Sequence, residues 1–190
     1  MMQTHLVDVP EIAKALEEFS APDCNPLNAQ RLIADMGASL GQRLRSESVQ
    51  FDYLCPILRA GLPLAVGLSR HFPYVEVAPI HARREFNTQT IAVERIAAIR
   101  DGSTLLLVDT IAATGGTLVT LGRLLKQEWE GLRLLVAVGY ASPTALERLE
   151  SSDVFDSTWV GRIADGVDAQ GYLFPATHGD AGDKMFRGMF

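Results

Sequence analysis

The stretch Leu105-Leu106-Leu107-Val108-Asp109-Thr110-Ile111-Ala112-Ala113-Thr114-Gly115-Gly116-Thr117 decides the fold. Its apolar run, 105–108, suits a strand buried on both faces, as in a parallel sheet covered by helices. A carboxylate follows at Asp109, then small residues and two glycines make a turn, and residues 116–130 read as a helix. In open α/β sheets, ligands bind beyond the carboxyl ends of the strands. A strand that delivers an acid and then a turn at a helix N-terminus, with hydroxyls at Thr114 and Thr117, is an anion cradle suited to a phosphate monoester. An isolated Thr-Gly-Gly is also an ordinary tight turn; Asp109 at the end of so apolar a strand is what points to function.

The same strand-turn-helix pattern recurs on either side. Residues 53–58 form an apolar run that ends at Arg59-Ala60-Gly61, and residues 62–71 read as helix. Further continuous apolar runs lie at 74–80 and 132–139, with a last strand candidate at 157–163. Leu32, Ile33, Met36, Leu40 and Leu44 collect on one face of a helix over 28–44. Ser142 is a plausible N-cap with Pro143 at the first position of a helix over 143–150, where the missing N–H costs nothing. No repeat, low-complexity tract or linker divides the chain. The expected fold is α/β: one domain over 1–190, an open, mostly parallel sheet of about five strands flanked by helices. Residues 1–27 form an N-terminal segment, and a Gly- and Asp-rich segment, 163–190, closes the chain.

Composition narrows the partners. The 190 residues carry 17 Lys+Arg against 23 Asp+Glu, a formal charge of −6, with 47% hydrophobic residues. Such a chain has enough apolar material for a core. Its acidity argues against a general nucleic-acid or anionic-membrane binder, since both need an excess of Lys and Arg. A small, locally basic phosphate site remains compatible with it. Cys24 and Cys55 supply neither a disulfide scaffold nor a zinc site, and no CxxC pair occurs. The first ten residues lack a basic stretch followed by an apolar one, and no apolar run approaches the roughly 20 residues that cross a bilayer. A reduced, cytoplasmic setting is expected. Neither GxxxxGK[ST] nor GxGxxG occurs, so triphosphatase and dinucleotide readings lose their main support.

Residues 107–117 resemble the ribose-phosphate-binding signature of type I phosphoribosyltransferases: an apolar strand, an acid, then Ala-Thr-Gly-Gly-Thr. Most branches carry a second acid beside the first. This chain has Thr110 there, and the uracil phosphoribosyltransferases, which typically carry proline, also lack the acidic pair. Pro56-Ile57-Leu58-Arg59-Ala60-Gly61-Leu62 resembles that branch's pyrophosphate loop. Gly171-Tyr172-Leu173-Phe174-Pro175, followed by Gly179-Asp180-Ala181-Gly182-Asp183-Lys184, resembles its uracil-binding C-terminus, a hood over the sheet. The resemblance runs from about Asn28 to the end of the chain.

The resemblance implies transfer of a phosphoribosyl group from 5-phosphoribosyl-1-diphosphate to a base nitrogen, with release of pyrophosphate. By it, Ala113, Thr114, Gly115, Gly116 and Thr117 hold the 5-phosphate, and Asp109 binds ribose hydroxyls and favours positive charge on the sugar. Arg59, with Ala60 and Gly61, binds pyrophosphate, and a guanidinium suits bidentate phosphate contact. Residues 81–88 correspond to a mobile loop that covers the site, with Arg83 the second pyrophosphate arginine and Arg84 beside it. Tyr172, Leu173, Phe174, Ala176 and Gly179 would read the base through extended backbone, and Asp180 would meet Mg2+ through substrate and water. His178, Asp180 and Asp183 lack the spacing and third neutral ligand of a transition-metal site. Arg59, Arg83, Arg84, Lys184 and the helix N-terminus are expected to form a small electropositive pocket in an acidic protein.

Three departures bear on specificity and assembly. Pro175-Ala176-Thr177-His178-Gly179-Asp180 is one residue longer than the usual Pro-Gly-Leu-Gly-Asp and puts Ala176 where a glycine stands. A Cβ there restricts the backbone at the base pocket. Ala164-Asp165-Gly166 displaces an acid by one position. Residues 46–52 are far shorter than the family's insertion, which often forms a subunit-bridging β-arm, so a homodimer or higher homo-oligomer is expected to form without that arm. Three readings follow: uracil as acceptor, giving UMP; the same donor with another heterocyclic or aromatic acceptor; or a non-catalytic sensor of the donor.

Overall fold

The computed structural model describes residues 2–84, 91–95, 99–167, 173–174 and 181–186. Its elements begin with β1 (Gln3–Leu6), α1 (Pro10–Ser20), α2 (Pro26–Ser46), β2 (Tyr53–Leu58) and α3 (Gly61–Ser69). They continue with β3 (Glu76–Val77), β4 (Ile80–Arg84), β5 (Ile91–Arg95), β6 (Thr104–Ala112) and α4 (Gly116–Glu128). The rest are β7 (Arg133–Ala141), α5 (Pro143–Ser151), β8 (Ser157–Ile163), β9 (Gly166–Val167), β10 (Leu173–Phe174) and α6 (Ala181–Phe186).

Among the described residues the main sheet has eight strands, in the order β1-β8-β7-β6-β2-β4-β5 with β3 also on β2. All its pairings are parallel except β4 with β5, and β9 and β10 form a separate antiparallel pair. This is the open, mostly parallel α/β sheet that the continuous apolar runs predict. Alternation along each strand feeds two cores. Leu54, Leu106, Val108, Leu135 and Ala137 join α1, α2 and α3 on one face. Tyr53, Cys55, Leu105, Leu107, Leu134, Val136 and Val138 join α4 and α5 on the other. Truncating one of these fully buried leucines to alanine costs about 2–5 kcal/mol.

Local chemistry sets the element ends. The Asn25 side chain accepts a hydrogen bond from the Asn28 N–H at 3.0 Å, with Pro26 opening α2. Ser142 caps α5 in the same way, its Oγ accepting from the Ala145 N–H at 2.9 Å.

Four features differ from the sequence-based expectation. The strand expected over 74–80 is broken: Tyr74 is 99% exposed, and only Glu76–Val77 and Ile80 onward pair with β2. Pro79 has no N–H to give the ladder. The strand at 105–108 does not end there, because β7 is equally long and pairs with β6 through Asp109↔Val138 and Ala112↔Ala141. Residues 81–84, expected in a loop, form part of β4, paired with β5. Finally, β1 and α1 organise the N-terminal segment. β1 adds to the sheet edge by parallel pairing with β8, and α1 buries Ile12, Ala15, Leu16 and Phe19. No helix among the described residues is long and apolar enough to cross a membrane.

Candidate active site

Parallel strands put their carboxyl ends on one side, and β2 and β6 are neighbours there. Pro56 pairs with Val108, so the chain leaving β2 at Arg59 rises beside Asp109 and Thr110. The approach is close. A Cβ on Gly61 would fall 2.2 Å from the Val108 carbonyl oxygen, so only glycine lets α3 start flush against β6. Thr110, fully buried, donates its hydroxyl to the Ala60 carbonyl at 2.6 Å. Arg59 follows a cis peptide bond, is 36% exposed at its side chain, and pairs with Asp183 on α6 at 2.8 Å.

Beyond β6, Ala113 and Thr114 lead to Gly115, whose φ of +69° is the left-handed region that side chains resist. α4 then begins at Gly116, and the N–H groups of a first helical turn have no intrahelical acceptor. Their positive end of the helix dipole suits a phosphate. Ser142 holds the turn from the β7 side, donating its hydroxyl to the Ala113 carbonyl at 2.5 Å. Arg148 on α5 lies alongside, with Nη1 3.4 Å from the Thr114 carbonyl oxygen. Asp109 is half-buried, and its Oδ1 accepts from the Thr110 N–H at 2.8 Å.

Asp109, Arg59, Ala60, Gly61 and the turn from Ala113 to Thr117 thus come together at one end of the sheet. Arg83 and Arg84 lie on the same side by register, since Leu58 pairs with His81 and β4 runs parallel to β2. Their side chains, and residues 85–88 of the segment expected to cover the site, lie outside the described residues. So do Tyr172, Ala176, Gly179 and Asp180, together with His178. Leu173 is buried, in β10 with Phe174. Lys184, expected in a small electropositive pocket, is engaged elsewhere: its Nζ donates to the Ala21 carbonyl at 3.0 Å and sits over the Phe19 ring. Among the described residues, no cluster of three or more His, Cys, Asp or Glu could cage a metal ion. Cys55 is no candidate nucleophile, because burial pushes its thiol up.

Sequence reasoning did not identify the hydroxyl ties of Thr110 and Ser142 or the position of Arg148. Each depends on which strand or helix lies alongside, and local sequence carries no such signal.

The fold and its loops have known counterparts. Residues 22–188 match the family described as uracil phosphoribosyltransferase. The AQ2163 protein from Aquifex aeolicus superposes with a TM-score of 0.82 at 20% identity, over 95% of this chain and 97% of that one. A purine phosphoribosyltransferase from Pyrococcus horikoshii gives 0.54 at 19% identity, over 70% and 86% of the two chains. A hypoxanthine-guanine phosphoribosyltransferase from Bacillus anthracis gives 0.55 at 17%, over 72% and 79%. At these identities the structures speak for the fold, whereas the family match spans most of the sequence, both loops included. The chain belongs to the uracil phosphoribosyltransferase family.

Proposed function

We propose that this protein transfers the phosphoribosyl group of 5-phosphoribosyl-1-diphosphate to a ring nitrogen of uracil, giving UMP and diphosphate. The observation that carries the reading is the placement of two loops suited to anions, one at Arg59 and one at the start of α4, on adjacent strand ends tied by Thr110. Such a pair suits a substrate with phosphate at one end of a ribose and diphosphate at the other. The family match supports uracil as the acceptor.

In this reading, the turn from Ala113 to Thr117 anchors the 5-phosphate, and Arg59 and Arg83 take the diphosphate. Holding both ends fixes C1 of the ribose for attack by the base. As the C–O bond to diphosphate breaks, positive charge builds on the sugar and negative charge on the leaving group. Asp109 favours the first and the arginines the second. The segment Tyr172 to Gly179 presents the base. A magnesium ion would shield the diphosphate oxygens. Asp109 offers hard carboxylate oxygen to such an ion, and Asp180 would meet it through substrate and water. The protein is further proposed to act as a homo-oligomer, with sedimentation velocity as the check.

A panel of pyrimidine and purine bases, each supplied with donor and magnesium, tests the proposal. Uracil-dependent release of diphosphate is expected. Turnover of another base with none of uracil overturns the acceptor, an outcome that the altered 175–180 loop makes worth including. Consumption of donor with no base present overturns transfer itself.

A further inference from the structure

The buried hydroxyl of Thr110 belongs to neither anion-binding loop, yet it lies between them. Its residue faces two ways. The backbone N–H donates to Asp109 Oδ1 at 2.8 Å, while the side-chain hydroxyl donates to the Ala60 carbonyl at 2.6 Å. Ala60 follows Arg59 directly and precedes Gly61, whose Cα packs against the Val108 carbonyl with no room for a Cβ. The peptide joining Ala60 to Gly61 is therefore pinned from below by shape and from the side by one hydroxyl, and it anchors the loop one residue beyond Arg59. A buried hydrogen bond of this length restricts the loop in a way that apolar packing alone does not.

From this geometry we propose that Thr110 is a positioning residue for the pyrophosphate loop: through Ala60 it holds Arg59 ready for the diphosphate end of the substrate, and it does not touch substrate. The inference rests on the phosphoribosyl-diphosphate reading of the site. It also separates the two ends of that site, since the 5-phosphate turn is held independently by Ser142. Loss of the Thr110 hydroxyl should thus loosen one loop and leave the other intact.

Two small probes of the full-length protein distinguish the ends: inorganic pyrophosphate with magnesium for the Arg59 loop, and ribose 5-phosphate for the turn at Ala113 to Thr117. Titration calorimetry of Thr110→Val, which keeps the shape and removes the donor, should give an about three- to tenfold rise in Kd for pyrophosphate, the range of one lost hydrogen bond. The Kd for ribose 5-phosphate should stay at the wild-type value. In turnover, KM for the donor should rise more than kcat falls, and Thr110→Ser should restore both. Unchanged pyrophosphate binding in Thr110→Val overturns the proposal, and so does equal weakening of both probes, which marks a merely structural hydroxyl. If Thr110→Val does not fold, Thr110→Cys, with a weaker donor, reads the same difference between probes. Wild-type protein that binds neither probe overturns the site reading and this inference with it, whereas binding of both with no effect of Thr110 leaves the site reading intact.

Discussion

Arg59 and Asp183, 124 residues apart in sequence, meet in a 2.8 Å ion pair that joins the loop after β2 to α6. The guanidinium proposed to bind diphosphate thus already faces a carboxylate. Both side chains are substantially exposed, 36% and 64%, so the pair contributes only about 0–1 kcal/mol. Asp183 then competes weakly with a diphosphate for Arg59. Asp183→Asn should tighten inorganic pyrophosphate by up to about fivefold, by calorimetry at low salt, and added salt should shrink the difference. Weaker binding in the variant would mean that Asp183 orients Arg59 instead. Arg59→Ala should weaken pyrophosphate by about tenfold or more, because charge-assisted hydrogen bonds are lost.

Asp109 is half-buried within the β6 ladder, with its Oδ1 taken by the Thr110 N–H. An amide oxygen can accept the same bond, so Asp109→Asn should fold with little change in Tm. It removes the negative charge proposed to face the developing positive sugar, and kcat should fall by about a hundredfold or more in steady-state assays. Wild-type kcat in this variant would remove Asp109 from the chemistry.

Two glycines separate backbone constraint from binding. A Cβ on Gly61 meets the Val108 carbonyl oxygen at 2.2 Å, and Gly61→Ala should cost about 1–3 kcal/mol through forced backbone shifts. Gly115 combines a φ of +69° with a Cβ position 3.0 Å from the Ala145 carbonyl oxygen. Gly115→Ala should cost about 1–2 kcal/mol and also displace the turn proposed to hold phosphate. Thermal denaturation measures both. Ribose 5-phosphate should raise the Tm of Gly61→Ala nearly as much as that of the wild type and should raise that of Gly115→Ala far less.

At the far edge of the sheet, Glu47 accepts from Trp159 Nε1 at 2.8 Å and from Arg43 Nε at 2.6 Å, with His5 Nδ1 at 3.4 Å. Burial raises its carboxyl, but these hydrogen bonds and the Arg43 charge outweigh it, so the net shift is downward from the ordinary carboxylate range. With the folded pKa below the unfolded one, the unfolded chain binds more protons in acid. The contribution of Glu47 is then complete above the unfolded pKa and is lost as pH falls through the folded one. Denaturant melts between pH 6 and pH 3 should lose less stability in Glu47→Gln than in the wild type, the two curves drawing together toward the acid end. Parallel loss in both proteins would remove Glu47 from the acid response.

Much of the fold was legible because burial on both faces leaves a one-dimensional trace. The apolar residues of β2, β6 and β7 have almost no exposed face to alternate with, and glycine or a helix cap follows each. Edge elements left a poorer trace. Gln3-Thr4-His5-Leu6 is polar and mostly exposed, and it becomes a strand only because β8 supplies a ladder from residues about 154 positions away. α1 had the periodicity of a helix in Ile12, Ala15, Leu16 and Phe19, but nothing local said which surface would receive it.

By itself, the sequence determined the strand-acid-turn-helix unit at Asp109 to Thr117, its partner loop at Arg59 to Gly61, and the family to which they belong. Those features are written in contiguous residues whose types dictate backbone freedom, charge and burial. Only the tertiary structure decided how the units are joined. It put the Thr110 hydroxyl on Ala60, Asp183 on Arg59, Arg148 beside Thr114, and Lys184 on Ala21. A side chain's partner is set by which elements the sheet order makes neighbours, and that order comes from packing the whole chain, not from any one stretch of it.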